Sequence, residues 1–184
     1  MTRLIGLVSA GVLYAALALG ANAQGALADL RTGDMRKLTL HDSPRPVPDT
    51  PFTDRDGVEF TLADLAGRYI VLNFWATWCA PCRHEMPSLE ALEAEFGGPA
   101  FAVVPIATGR NPLPAIDVFF EETGITRLPV YLDPRQTLAR NMGVMGLPLT
   151  VILDPEGREI ARLIGDADWH SDSARAIIAA LIGD

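Results

Sequence analysis

The chain has 184 residues, 49% of them hydrophobic and 21% charged, with a net charge of −8. This balance is ordinary for a globular domain, and its acidic sign excludes the basic footprint of a nucleic-acid-binding protein. The two cysteines are too few to staple a small disulfide-dependent scaffold.

Arg3 is followed by an uncharged run, Leu4 to Ala21, and then by Ala21-Asn22-Ala23, an A-x-A pattern. Residues 1–23 therefore read as a secretory signal cleaved after Ala23 or as a membrane anchor through residues 4–21. Both readings put the cysteines outside the cytoplasm, because a lone Arg3 favours an N-terminus left inside. Residues 24–44 read as a connector. Pro44, Pro46, Pro48 and Pro51 keep the following chain stiff and extended. His41 lies in the connector without a companion ligand and receives no role. One domain is expected over residues 45–184.

Within that domain, Phe52 to Phe60 reads as a hairpin turning at Asp56-Gly57. Thr61 to Leu65 reads as a capped helical turn stopped at Gly67. Tyr69 to Trp75 is continuously apolar, β-branched and aromatic, the pattern of a strand buried on both faces. From Arg83 to Phe96, Met86, Leu89, Leu92 and Phe96 recur at helical spacing, with Pro87 expected to kink the helix. Phe101 to Ile106 is a second buried strand. Pro114 to Thr123 is a helix ended by Gly124, Val130 to Leu132 a short strand, and Arg135 to Met142 a short helix. Leu149–Leu153 and Arg158–Ile164 flank the turn Asp154-Pro155-Glu156-Gly157 as a hairpin. Ser171 caps a last helix reaching Leu181. Strands alternating with helices in this way build a central sheet flanked by helices.

Both cysteines fall in Trp78-Cys79-Ala80-Pro81-Cys82, where the first buried strand gives way to a helix. Backbone N–H groups and the positive end of the helix dipole favour a thiolate there, and a second thiol two residues on makes a dithiol redox centre. Cys79 precedes the helix and is expected to be the exposed nucleophile. Cys82, about one turn in, is the shielded resolving thiol. A structural zinc site would need four ligands, and no second C-x-x-C exists. Glu85, three residues after Cys82, shares its helical face. A half-buried carboxylate there would raise thiol pKa values and could carry protons. Trp78 is expected to shield the disulfide and offer an apolar contact surface, Trp75 to join the core, and Arg83 and His84 to face solvent. Three scattered histidines and the lack of a phosphate-binding glycine loop imply neither metal nor organic cofactor.

The run Asn73 to Pro87 closely resembles the thioredoxin-like proteins of the TlpA/ResA type, extracytoplasmic thiol–disulfide reductases serving cytochrome c maturation or oxidase copper-centre assembly. The resemblance implies a thioredoxin fold: a central mixed sheet flanked by helices, with an N-terminal hairpin and one α–β insertion near residues 113–132. It implies that Ala80-Pro81 tunes the pair toward reduction. It also implies that Glu85 stands in for the buried Asp that ordinary thioredoxins carry at the position of Asn73. A cis-proline should face the dithiol. Of Pro129 and Pro148, only Pro148 is followed by the strand, hairpin and helix that complete the fold, and Gly146-Leu147-Pro148-Leu149-Thr150 resembles the family's loop. The implied partners are a disulfide-bearing client protein and an upstream membrane thiol reductase. Two rivals remain: a Cu(I) chaperone using Cys79, Cys82 and a distal His170, and an oxidase of the DsbA kind. The P-x-x-x-T-x-x-C pattern of peroxiredoxins fits neither cysteine.

Overall fold

The computed structural model describes residue 25 and residues 27–183, so the expected signal or anchor at residues 1–23 lies outside it. Among the described residues no helix is long and apolar enough to cross a membrane.

Eight strands form one mixed sheet: β1 (Thr39–Arg45), β2 (Phe52–Asp54), β3 (Glu59–Phe60), β4 (Tyr69–Trp75), β5 (Phe101–Thr108), β6 (Tyr131–Asp133), β7 (Leu149–Leu153) and β8 (Glu159–Ile164). The spatial order is β1-β8-β7-β4-β5-β6-β2-β3. β4, β5 and β6 run parallel, while β7 is antiparallel to β4. The helices are α1 (Ala80–Phe96), α2 (Leu113–Thr123), α3 (Thr137–Asn141) and α4 (Asp172–Ile182). This is the expected central mixed sheet flanked by helices. The β2–β3 hairpin extends one edge, and α2 with β6 forms the α–β insertion.

The period-2 alternation of strand side chains explains the layering. In β4, Val71 and Trp75 face one core with Met86, Leu89 and Leu92 of α1, Phe119 of α2 and Ile177 of α4. Ile70, Leu72 and Phe74 face the other, with Leu138 of α3, Met142 and Phe52. Both faces of β4 are thus covered, as its unbroken apolar run requires. Trp75 stacks with its ring centroid 5.9 Å from that of Phe120, and 5.6 Å from Phe119.

Two expectations are corrected. Residues 33–44, part of the expected connector, pack onto the domain instead. Gly33–Lys37 forms a 3-10 turn that buries Met35, Leu38 is buried beside it, and β1 pairs antiparallel with β8. Short apolar anchors placed singly among charges carry no periodicity to announce a strand. His41 is also not idle: it is buried, and its Nε2 lies 2.6 Å from Glu159 Oε1. Arg162 clasps the same carboxylate through Nε at 2.6 Å and Nη2 at 2.7 Å. Burial pushes the Glu159 carboxyl up, but the hydrogen bonds and charges of Arg162 and His41 outweigh it and leave the group below its ordinary range. Helix α1 begins at Ala80, directly after Cys79 as expected, and runs through Pro87, which has no N–H to offer the Arg83 carbonyl.

Candidate active site

Parallel strands β4, β5 and β6 end at the same edge of the sheet, and β7 starts there, since Phe74 pairs with Leu149. The loops after these strands therefore converge, as they do at ligand sites of open α/β sheets. The loop after β4 is pinned from the loop after β5. Asn111 Oδ1 accepts from the Thr77 amide at 2.8 Å and from its hydroxyl at 3.1 Å, while Asn111 Nδ2 donates to Thr108 O at 2.9 Å.

Cys79 is the N-cap of α1 and is joined to Cys82 in a disulfide with Cα atoms 5.3 Å apart. Its Sγ accepts from the Cys82 amide at 3.3 Å. That amide is one of the orphan donors of the first helical turn, and with the helix dipole it favours negative charge on Cys79 when the bond is reduced. Pro81 occupies the first turn, where its missing N–H costs nothing. Cys82 is fully buried and Cys79 is 6% exposed, opening into a cavity of about 530 Å³. Trp78, 63% exposed, forms one lip of that cavity and Leu147 lines it. The Leu147–Pro148 peptide is cis. Arg83 is exposed but lies 4.4 Å over the Phe119 ring, and exposed His84 lies 3.5 Å from Asp166.

Glu85 sits deeper than expected: it is 1% exposed, not half-buried. Asn73 shares the strand face of Val71 and Trp75, so it points toward α1, and its Nδ2 donates to Glu85 Oε1 at 2.8 Å. The same amide donates to Thr150 Oγ1 at 2.9 Å. Glu85 Oε2 accepts from the Ala167 amide at 3.2 Å and from Trp169 Nε1 at 3.3 Å. Burial raises the Glu85 carboxyl to about 7, against these three donors and with help from the negative charge of Asp166. Asn73 Oδ1 is buried without a hydrogen-bond partner.

Thr150, Ala167, Trp169 and Asn111 are partners that sequence reasoning missed. Thr150 was within reach, because the antiparallel β4–β7 register sets it opposite Asn73. Trp169 lies in an irregular segment before α4 and gave no pattern. The copper-carrier set is not assembled: His170 Nε2 lies 2.7 Å from Glu95 Oε2, and among the described residues no three His, Cys, Asp or Glu side chains gather as metal ligands.

The geometry is that of a dithiol exchange centre, and comparison with known proteins agrees. The AhpC/TSA family profile matches residues 44–160. The thiol-disulfide oxidoreductase ResA of Bacillus thuringiensis (strain Al Hakam) is 30% identical over 119 residues, covering 65% of this chain and 68% of its own. ResA of Geobacillus kaustophilus is 32% identical over 128 residues, covering 70% and 72%. A thioredoxin-family thiol:disulfide interchange protein of Chlorobium tepidum superposes with a TM-score of 0.62 at 28% identity, covering 77% of this chain and 98% of that one. With its Cys79–Cys82 pair, the chain belongs to the AhpC/TSA family and is a thiol–disulfide oxidoreductase of the ResA type.

Proposed function

We propose that the protein reduces disulfides in extracytoplasmic clients: an apocytochrome c, a copper chaperone or a cytochrome oxidase subunit. An upstream membrane thiol reductase restores its dithiol, and residues 4–21 either direct export to the periplasm or tether the domain at the membrane. The observation that carries this reading is the asymmetry of the pair, with Cys79 opening on a cavity and Cys82 sealed beneath it.

In the reduced form, the Cys79 thiolate attacks one sulfur of a client disulfide. A bond forms between Cys79 Sγ and that sulfur, and the client's other sulfur leaves as a thiolate and takes up a proton. The Cys82 thiol then loses its proton and attacks Cys79 Sγ. The Cys79–Cys82 disulfide closes, and the second client sulfur leaves and is protonated. Two electrons pass from the dithiol to the client. Glu85, one turn from Cys82 on the same face of α1, holds a carboxyl raised to about 7, so it can accept and return a proton near neutral pH.

Covalent trapping tests this assignment. Cys82→Ser removes the resolving thiol and should accumulate a disulfide-linked client adduct that mass spectrometry identifies, whereas Cys79→Ser should give far less. A haem-attachment protein in the adduct assigns cytochrome c maturation; a copper-site protein assigns oxidase assembly. Equal trapping by both variants overturns the nucleophile assignment, and no adduct with either overturns client reduction. A redox titration separates a reductase from an oxidase of the DsbA kind.

A further inference from the structure

The cavity beside Cys79 carries a chemistry that dithiol exchange alone does not require. Its lining includes Trp78, Gln136, Arg140, Met145 and Leu147, and Arg140 is its one charged side chain. Met145 is 96% exposed and, with Trp78, gives the mouth two apolar side chains beside the exposed Gln136 and Arg140. Such a rim suits an extended polypeptide segment, which offers apolar side chains together with a backbone needing hydrogen bonds.

Two backbone features mark the Gln136 side of the mouth. Gln136 has φ 55° and ψ 29°, the left-handed conformation that a side-chain-bearing residue adopts at a cost. Gly109 faces it with φ 80°, and a Cβ there would come within 2.9 Å of Gln136 Nε2. Gln136 thus sets its side-chain amide beside the Gly109 backbone at the mouth of the site. That amide offers a donor and an acceptor, the complement of a peptide group. Arg140, on α3, lines the same cavity.

The charge lining this cavity is opposite in sign to that of the whole molecule. Although the chain carries −8, the loops and first turns that converge here hold Arg83, Arg110, Arg135 and Arg140. Asp133, at the end of β6, is buried and spent on the Thr137 and Ala139 amides at 2.8 and 2.9 Å, and Asp166, in the loop after β8 at the same end of the sheet, lies 3.5 Å from His84. Arg83 has a distant ion pair with Glu122 at 3.8 Å. Among the described residues Arg140 forms no ion pair; its Nη2 donates to Arg135 O at 2.6 Å. A cationic mouth on an acidic protein orients an incoming acidic segment toward the mouth and repels it elsewhere.

We propose that this groove selects clients whose disulfide lies in an acidic stretch of chain, Arg140 pairing with a client carboxylate and the Gln136 amide with client backbone. The inference rests on the reading that Cys79 attacks a client disulfide.

The test uses the reduced full chain and three matched peptides, each with one internal disulfide, flanked by glutamates, glutamines or lysines. Second-order reduction rates are compared as ratios within each protein, so a general loss of activity cancels. The wild type should reduce the glutamate peptide about fivefold faster than the glutamine peptide at low salt, the preference fading at high salt. Arg140→Gln should bring that ratio near one, and Arg140→Glu should turn the preference toward the lysine peptide. Gln136→Gly, which relieves the backbone strain, should slow all three peptides relative to hydroxyethyl disulfide while leaving their order unchanged. Peptide ratios identical in wild type and both Arg140 variants overturn the groove assignment while disulfide exchange stands. Failure of the wild type to reduce even hydroxyethyl disulfide overturns both.

Discussion

Replacing Glu85 with glutamine isolates the energetic consequence of burying this carboxyl. Its pKa rises from 4.5 to about 7 in the folded protein. Below pH 4.5 the group is protonated in both folded and unfolded chains, and its titration makes no difference to stability. Between 4.5 and 7 the unfolded chain releases its proton while the folded chain retains it, so stability falls as pH rises. Above 7 both forms are ionised and the loss is complete, at about 3 kcal/mol from the linkage between pKa and folding. The glutamine variant has no such loss. Its amide also suits the network: a half-turn of the Asn73 amide would bring Oδ1, now unpartnered, to accept from the new amide and from the Thr150 hydroxyl. Urea unfolding of the oxidised proteins from pH 4 to 8 measures this directly. The variant-minus-wild-type difference should be level up to about pH 4.5 and then climb by about 3 kcal/mol toward pH 8, whatever constant offset the amide brings. A level difference curve across the range would refute the raised carboxyl. A descending one would mean that Asn73, Ala167 and Trp169 stabilise the anion more than burial penalises it.

Two further outcomes follow from the same geometry. In the reduced form, Glu85→Gln removes a negative charge near the thiols, so thiolate absorbance should titrate at lower pH in the variant; superimposable titrations would show that Glu85 and the thiols are not coupled. Glu159→Leu strips the shared carboxylate from His41 and the partly exposed Arg162, and should cost about 2–4 kcal/mol in urea unfolding. A cost below about 1 kcal/mol would mean that pairing with β8 and the burial of Met35 and Leu38 hold β1 without the ion pair.

What was legible in the sequence was what repeats with a period. β4 and α1 announced themselves through an apolar run and a 3.6-residue spacing, and their junction located Cys79 and Cys82. Glu85 followed from helical geometry, although its depth did not, because burial depends on what covers a helix from another part of the chain. Trp169 and the Ala167 amide, which close over Glu85, come from a segment about eighty residues downstream with no regular structure to predict. The β1 strand was hidden for a related reason. As an edge strand it buries few side chains, and the His41–Glu159 pair that anchors it joins residues 118 apart in sequence. Gln136 could not be read at all, since a left-handed glutamine violates the local preference on which such reading depends.

Asn73 shows how the two elements constrain one another chemically. On β4 it occupies the position where ordinary thioredoxins carry a buried Asp, and read alone it looks like a lost proton acceptor. Its Nδ2 stands 2.8 Å from Glu85 Oε1. A carboxylate at residue 73 would bring two acids into contact in a buried site, where both could not ionise together. An amide instead supplies a donor to the Glu85 carboxylate and keeps a second acceptor, Oδ1, available when the carboxyl is protonated. The carboxylate on α1 and the amide on β4 are therefore one arrangement. The titratable carboxyl sits on the helix that carries Cys82, and the strand residue is a partner able to serve both of its protonation states.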